Sequence, residues 1–419
     1  MIEREVIKKI IPWIGKKKIL ILKGSRQVGK TTLLAVIKNE ILKKDKSARV
    51  AYLLADDIDN KPIFSSPAAL EAYLKQLYDF PDQPIYLCLD EFQAIKDAGL
   101  FLKNLSDKYQ GKLRIIASGS SSLEITKNSE FLTGRAISFD ITRVSFKEFF
   151  NYSKKTEVKT LAARKLNEAA DFYQAFAGEL NILFSEYMVF GGYPEVITTK
   201  KKEEKKIVLD SIVKTYIEKD VINFLKIENI TAFNNLLKIL ADQIGNLVNA
   251  HELSNTLNIS INTLNKYLEI LQGTYLFNLA RPFSTNRRSE ISKMPKIFIL
   301  DLGLRNYLLR NFEANDMVKG SLAENFVYLT LLEKFAKEQI NYYRTITGSE
   351  IDFIVDLGLE KIIFEVKYAS KAKEPLAFRN YSEKYNKHKI KKIIITRDLL
   401  KKERGVLYLP AVMLPFVKF

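Results

Sequence analysis

Two side-chain chemistries are almost missing from this chain: its 419 residues hold one cysteine and two histidines. A single thiol rules out a disulfide framework or a cysteine zinc site within one chain. Cys88, inside the apolar run IYLCL, reads as core. His251 and His388 argue against a histidine-based metal centre or a catalytic triad. Long apolar runs are also lacking. No stretch approaches the roughly 20 apolar residues that span a bilayer, and the tail GVLYLPAVMLPFVKF is short and broken by Pro410 and Pro415. The N-terminus MIEREVIKKIIPW mixes charges from its start, unlike a signal peptide. The expectation is a soluble, cytoplasmic chain with no membrane partner.

Negative charge is in deficit. Lys and Arg number 66 against 49 Asp and Glu, a formal net charge of +17. That balance suits a nucleic acid or another anionic surface, although lysine-rich solvated faces produce it equally well. A 47% share of hydrophobic residues over this length can bury several cores.

What is present comes in order along the chain. Apolar runs KILILK (18 to 23), RVAYLLA (49 to 55), IYLCLD (85 to 90), LRIIAS (113 to 118) and AISFDI (136 to 141) alternate with helical patterns such as TTLLAVIKNEILKK. Such alternation predicts an α/β fold with a parallel sheet covered on both faces. Ligands of these sheets sit at the carboxyl ends of the strands.

The first run leads into GSRQVGKTT, where Gly24 to Thr31 spell G-x-x-x-x-G-K-T between strand and helix. Gly24 and Gly29 let the backbone N–H groups of Ser25, Arg26, Gln27 and Val28 turn inward, and the following helix adds its positive end. A polyphosphate fits there, with Lys30 reaching the β- and γ-phosphates and Thr31, beside Thr32, binding Mg²⁺. The third run ends in Asp90-Glu91: Asp90 would hold the magnesium and Glu91 polarise the attacking water. The fourth ends in SGSSS (118 to 122), where Ser118 or Ser120 is placed to sense the γ-phosphate; a plain serine turn fits the same letters. Arg135 precedes the fifth run and would stabilise transition-state charge in its own site or a neighbour's, or simply be solvated.

The combination GSRQVGKTTLL, LDEFQ, SGSSS, LTGRAISFDITRVSFKEFF and FGGYPEV resembles the prokaryotic AAA-like P-loop ATPase family that carries a C-terminal domain of uncharacterised function. The resemblance covers nearly the whole chain. It implies an ATPase core with sheet order 5-1-4-3-2, and nucleotide chemistry at Lys30, Thr31, Asp90 and Glu91.

From Ser145 to about Lys226 the letters read as helices interrupted at Gly191-Gly192-Tyr193-Pro194, either a lid over the nucleotide or a plain bundle. KKKEEKK (200 to 206) reads as a solvated helix start. In Asn249 to Leu276, Asn249 with Glu252 opens a short helix bearing Leu253 and Leu257, Ile259 sits in a turn, and Ser260 caps a helix with Leu264, Leu268 and Leu271 on one face. That is a helix-turn-helix, offering Asn262, Thr263, Asn265 and Lys266 outward. TYLFNLARP and KIFIL, joined by STNRRSEISK, complete a winged helix whose Arg287, Arg288 and Lys293 would meet DNA phosphates; the alternative is a protein-binding winged helix.

The last hundred residues order as helix-β-β-β-helix-β. Alternation puts Glu365 and Lys367 on one strand face, and hairpin pairing brings Asp352 beside Glu365. Asp352 and Glu365 would hold Mg²⁺ or Mn²⁺, Glu324 would complete the ligand set, and Lys367 would position water. The pattern is similar to the PD-(D/E)xK nuclease superfamily; ordinary surface acids, or a fold that keeps its residues without cleavage, fit the same letters.

The expected domains are 1–150 AAA-like ATPase, 151–230 helical lid, 231–317 winged helix and 318–419 nuclease-like. The expected function is an ATP-binding and ATP-hydrolysing protein using ATP and Mg²⁺ that engages nucleic acid, DNA first. A homo-oligomer remains open. The alternatives are a nucleotide switch without turnover whose C-terminal module recruits a protein or nucleic acid, and a small-molecule kinase.

Overall fold

The computed structural model describes residues 1–120, 132–163, 165–215, 227–284, 294–313, 320–345 and 348–419. The chain divides into two compact units. One is Glu3–Val144 with Gly273–Tyr275; the other is Met1–Ile2, Ser145–Gln272 and Leu276–Phe419.

The first unit begins with a short helix α1 (Val6–Ile10) and is built on five strands, β1 (Ile19–Lys23), β2 (Arg49–Leu54), β3 (Ile85–Asp90), β4 (Leu113–Gly119) and β5 (Ala136–Asp140). All pair in parallel in the order β2-β3-β4-β1-β5. This is the expected 5-1-4-3-2 order, read from the other edge. Parallel strands are covered on both faces, so the central ones must be apolar at successive positions. Hence Leu87, Cys88 and Leu89 are all fully buried. The helices α2 (Lys30–Lys44), α3 (Pro67–Tyr78) and α4 (Ala98–Tyr109) supply the cover. Ser66 starts α3 by accepting from Ala69 N at 3.1 Å, with Pro67 in the first turn where its missing N–H costs nothing.

The second unit holds helices α5 (Phe146–Lys154), α6 (Leu166–Phe190), α7 (Pro194–Thr198), α8 (Lys202–Val213), α9 (Ile230–Asp242), α10 (Ala250–Leu257), α12 (Leu302–Leu308) and α13 (Gly320–Lys334), with α11 (Ile261–Gly273) ending at its boundary. Strands β7 (Phe277–Ala280) and β8 (Lys296–Ile299) form an antiparallel pair. A six-stranded sheet follows, β9 (Ile340–Arg344), β10 (Glu350–Asp356), β11 (Glu360–Val366), β12 (Lys389–Thr396), β13 (Lys401–Glu403) and β14 (Val406–Pro410), in the order β13-β14-β12-β11-β10-β9. Helix α14 (Leu376–Lys384) packs Phe378 and Tyr381 against it.

Aromatic rings join the first helices to the C-terminal sheet's own helix. SFKEFF opens α5 through a reciprocal cap, Ser145 Oγ accepting from Glu148 N and the Glu148 carboxylate from Ser145 N. Its Phe146 meets Phe184 at 5.6 Å, Phe326 of α13 at 6.0 Å and Phe416 at 6.1 Å between ring centres. The C-terminal tail is therefore core. Ala411–Phe416 form a buried 3₁₀ turn after β14, and β15 (Val417–Lys418) pairs with β6 (Leu161–Ala162). The prolines that read as breaks bound and enter that turn.

FGGYPEV has a structural role. Gly191 has φ +74°, and a Cβ there would fall 2.3 Å from Asp301 Oδ1. Gly192 N donates to Asp301 Oδ2 at 2.8 Å while Asp301 also caps α12. KKKEEKK corrects the sequence expectation in part: Lys205 is buried, its ammonium donating to Val196 O at 2.6 Å and pairing with Glu186 at 3.1 Å. Arg287, Arg288 and Lys293, and Ser121 and Ser122 of SGSSS, lie outside the described residues. Among the described residues no helix is long and apolar enough to cross a membrane.

Candidate functional site

The loop after β1 is shaped by sterics. A Cβ on Gly24 would lie 2.2 Å from Ile141 O, closer than any side chain tolerates. Gly29 (φ +92°) and Gln27 (φ +60°) take left-handed backbone, which curls the chain into a concave nest ahead of α2. Ser25 is 1% exposed, and its Oγ has no hydrogen-bond partner among the described residues. Lys30 arches back over the loop, donating to Ser25 O at 2.8 Å and Gly24 O at 3.2 Å. Arg26, Gln27, Thr31 and Thr32 are exposed, Val28 buried. A buried hydroxyl, inward-curled backbone and the N-terminal end of a 15-residue helix together fit a polyphosphate. Arg4, which nothing in the sequence singled out, ties this loop to the chain after β5. It donates to Val28 O at 3.0 Å, Thr142 O at 2.7 Å and Arg143 O at 3.1 Å.

The acids of β3 reach the same edge of the sheet. Leu22 of β1 pairs with Ser118 of β4, and Leu89 of β3 with Ala117, so Asp90 stands level with the end of β1, one strand removed. Asp90 is 1% exposed. Its Oδ1 accepts from the Ser118 hydroxyl and from Glu91 N at 3.1 Å, and its Oδ2 from Tyr52 OH at 2.9 Å. Burial, and then this bond, raise the Tyr52 hydroxyl above its ordinary range. Thr31 at the helix start and Asp90 are the protein groups that would hold Mg²⁺ beside a bound triphosphate. Glu91 itself adopts φ +50°, a strained backbone for a non-glycine residue of the kind that collects at working sites. Its Oε2 accepts from Gln93 Nε2 and, at 2.9 Å, from Ser120 Oγ. The two serines expected as phosphate sensors thus stand on the acids, Ser118 on Asp90 and Ser120 on Glu91.

Arg135 requires a correction. It precedes β5, and Ile19 N donates to its carbonyl at the amino end of β1, the opposite edge from the loop. Its guanidinium is bidentate on Asp107 at 2.7 and 3.1 Å. It cannot serve its own nucleotide.

On the C-terminal sheet, β10 and β11 pair with Phe353 opposite Phe364, a register that continues to set Asp352 opposite Glu365. The β9–β10 register shifts between Ile351 and Ile354, so Asp352 lies in an irregularity of the kind that re-aims side chains. Asp352 Oδ2 accepts from Val366 N at 2.7 Å; Lys367 pairs with Glu365 Oε1 at 2.6 Å, and the buried Oε2 has no hydrogen bond among the described residues. The residue that organises the rest is Lys296 of β8. Its ammonium lies 2.5 Å from Glu350, 2.9 Å from Glu324 and 3.9 Å from Asp352.

Burial pushes the Glu324 carboxyl up to about 8, helped by the charge of Asp352, and Glu365 up to about 7 for the same two reasons; burial also raises Asp352. Burial works to lower Lys296, yet the charges of Glu324, Asp352 and Glu350 outweigh it and hold the ammonium above its usual range. Acids and base rise together because several carboxyls share one cation.

As they stand, Glu324, Asp352 and Glu365 do not form the ligand set expected of them. Among the described residues no group of three or more His, Cys, Asp or Glu is arranged to hold a metal ion. The physical reason is that two of the three face an ammonium. Sequence reading missed Lys296 and Glu350. Glu350 was legible, since it is two residues from Asp352 and so on the same strand face.

Comparison with known proteins gives three matched stretches. Residues 16–150 match the AAA domain, residues 181–315 a domain of unknown function (DUF8612) and residues 319–412 a domain of unknown function (DUF4143). An uncharacterized protein of Methanocaldococcus jannaschii is 27% identical over 410 residues, 94% of this chain and 84% of its own length. One of Haemophilus influenzae is 23% identical over 375 residues, 88% of this chain and 87% of its own. Among solved structures, Cdc6p from Pyrobaculum aerophilum is 11% identical, covers 74% of this chain and 95% of its own, and gives a TM-score of 0.31. The replication initiator DnaA bound to AMPPCP and single-stranded DNA is 18% identical, covers 65% and 90%, and gives 0.29. Scores this low do not establish a common fold. The matched domain, the sheet order and the loop agree that residues 16–150 are an AAA domain, a nucleotide-binding unit of the P-loop class, ahead of a C-terminal domain of the DUF4143 type.

Proposed function

We propose that this protein binds and hydrolyses ATP with Mg²⁺ and engages DNA through its second unit. The observation that carries the reading is Glu91, held in left-handed backbone at the carboxyl end of β3 next to the buried Asp90 and level with the loop of Gly24 to Thr31. The backbone N–H groups of Ser25 to Gly29 and the Lys30 ammonium hold the phosphates. Thr31 and Asp90 hold the magnesium, which neutralises charge on the phosphates. Glu91 orients the attacking water, and Ser118, Ser120, Gln93 and Tyr52 fix the two acids. The DNA part rests on α10 and α11. Asn249 caps α10, Asn258 turns the chain at φ +51°, and Ser260 Oγ accepts from Thr263 N at 3.0 Å, while Asn262, Asn265 and Lys266 are exposed near the start of α11. Helix starts of this kind read base edges as a winged helix does. Cleavage of nucleic acid forms no part of the reading, because Glu324 and Asp352 face Lys296.

The test is phosphate release by the purified chain and by Glu91→Gln. Turnover in wild type and its loss in a variant that still binds ATP is expected; absence of ATP binding by wild type would end the proposal. A second reading, a nucleotide switch, is favoured by the two donors already on Glu91 Oε2, and equal negligible rates with intact ATP binding would select it.

A further inference from the structure

Strand β12 reads KIKKIIIT, lysines at its start and isoleucines at its end, and alternation deals them to both faces of the C-terminal sheet. Ile394, with Ile363 and Tyr408 of the neighbouring strands, lies in the core under α14. Lys391 and Ile393 point the other way. Register extends this second face: Ile393 stands beside Phe364 of β11 and Leu407 of β14, and Leu407 beside Lys402 of β13. Its cover is incomplete. Phe419 sets its ring 5.5 Å from that of Phe364, edge-on at 80°, and β15 pairs with β6 through Lys418 and Ala162. Between cover and sheet lies a cavity of about 470 Å³, the size that holds a small organic ligand. It stands at the amino ends of β12 and β14, whereas Glu365 stands near the carboxyl end of β11, so it is separate from the acid cluster.

The floor of the cavity is apolar, made by Ile393, Leu407 and Phe419, and among the described residues every charged side chain that lines it is a lysine. Lys391 is paired with Glu360 at 2.6 Å and Lys392 with Glu374 at 2.8 Å, so their charge is answered. Lys402 and Lys418 are exposed and have no ion-pair partner among the described residues. The acid next to Lys402 turns away from it. Glu403 lies on the opposite strand face with Lys401, paired to it at 2.6 Å, and the Lys401 ammonium lies 4.9 Å from the centre of the Tyr408 ring on that side. Small residues keep the space open: Ala162 and Ala163 line it, and the β13–β14 turn closes through Gly405 at φ +80°, where a Cβ would meet nothing among the described residues within 4 Å. An ordinary lysine-rich surface is solvated throughout. Here the surface between the charges is concave and apolar.

We propose that this cavity binds a small organic anion with an apolar body, its carboxylate or phosphate head meeting Lys402 and Lys418 and its body lying on Ile393, Leu407 and Phe419. Each half of the site selects. A cation is repelled by the lysines, and nothing acidic in the lining offsets them. A bare inorganic anion answers the charge but leaves the apolar floor in water. A neutral apolar molecule covers the floor and leaves the charge unanswered. A ligand that joins the two gains both the burial of its body and charge-assisted hydrogen bonds to its head. Binding there depends on neither ATP turnover nor DNA.

The experiment is titration calorimetry of the full chain, without nucleotide, against octanoate and octyl phosphate, which carry both halves, and against 1-octanol and inorganic phosphate, which carry one each. It compares wild type, the double variant Lys402→Gln/Lys418→Gln, and Lys401→Gln, the neighbour on the opposite strand face. Wild type should bind at least one of the two amphiphiles at a single saturable site, and the one it binds identifies the head group. That affinity should exceed those for octanol and phosphate by at least about tenfold, and the double variant should lose at least about tenfold of it, since charge-assisted hydrogen bonds are the strong ones. Lys401→Gln should bind as wild type does. The replaced lysines are exposed, so the variants keep the fold, which circular dichroism checks. Wild type that binds neither amphiphile saturably overturns the proposal, as does octanol binding as tightly as octanoate and octyl phosphate. A double variant that binds like wild type overturns it too, and so does an equal loss in Lys401→Gln, because binding would then follow net charge rather than this cavity.

Discussion

Replacing Gly24 by alanine tests the nucleotide loop through sterics alone. The added methyl would meet Ile141 O at 2.2 Å, about 1 Å inside ordinary contact, and the obstacle is backbone rather than the tip of a movable side chain. Ile141 cannot easily retreat. Its N–H donates to Lys23 O at 2.7 Å, and Arg4 binds the carbonyls of Thr142 and Arg143 immediately after it. The strain therefore falls at the upper end of the usual overpacking range, about 3 kcal/mol. For a unit of this size that corresponds to a fall of roughly 6–12 °C in its thermal midpoint. The loop, pushed off Ile141, should also lose the inward aim of its N–H groups, so ATP affinity should fall with stability. The assay is thermal unfolding by circular dichroism together with ATP calorimetry. Gly178→Ala serves as the control. It lies within α6 with nothing among the described residues within 4 Å of the new methyl, and should stabilise by about 0.5–1 kcal/mol because alanine is the better helix former. A Gly24→Ala protein that melts with wild type and binds ATP equally would refute the steric account of the loop.

Glu91→Gln should retain ATP affinity while phosphate release falls by about 10²–10⁴-fold, the range of a positioned acid–base group; a smaller loss in single-turnover release would remove Glu91 from that role. Between pH 6 and 8.5 stability should fall as pH rises. Glu324 and Glu365 are raised to about 8 and about 7, above their unfolded values, so the folded chain holds more protons across that window and the slope is negative. Glu324→Gln should flatten it, and midpoints that climb with pH would contradict the assignment. Lys266→Ala should weaken DNA binding across sequences and reduce the salt slope by about 1, as read by titrations at several ionic strengths; an unchanged slope would place Lys266 away from phosphate.

The first unit was legible in the sequence because its physics is local. A parallel strand covered on both faces must be apolar throughout, so β3 could be read to its last residue from IYLCLD, and its acids then fell at the ligand edge. Arg135 could have been read by the same rule. A residue preceding a parallel strand stands at the amino edge, opposite the phosphates, and its partner Asp107 belongs to the helix entering β4. The hairpin register of Asp352 and Glu365 was legible through alternation, and so was Glu350, one step away on the same face. The tail was not. Pro410 and Pro415 look like breaks until Phe416 is seen against Phe146, Phe150 and Phe172.

What a linear reading cannot supply is the sign of burial for a charged side chain. KKKEEKK contains Lys206, paired on the surface with Glu203, next to Lys205, buried under Val196 and Glu186. The two differ by one position of helical phase and by partners brought from two other helices. Lys296 is the stronger case, because a lysine opening an apolar strand is usually an edge charge, and here it is drawn inward by acids from α13 and β10. Removing a buried lysine leaves its carboxyls uncompensated, which costs about 3–5 kcal/mol where nothing else answers the charge. The raised carboxyl of Glu324 shows the answer available at this site: it can take a proton. The cluster therefore has two ways to neutralise itself, by ammonium and by proton.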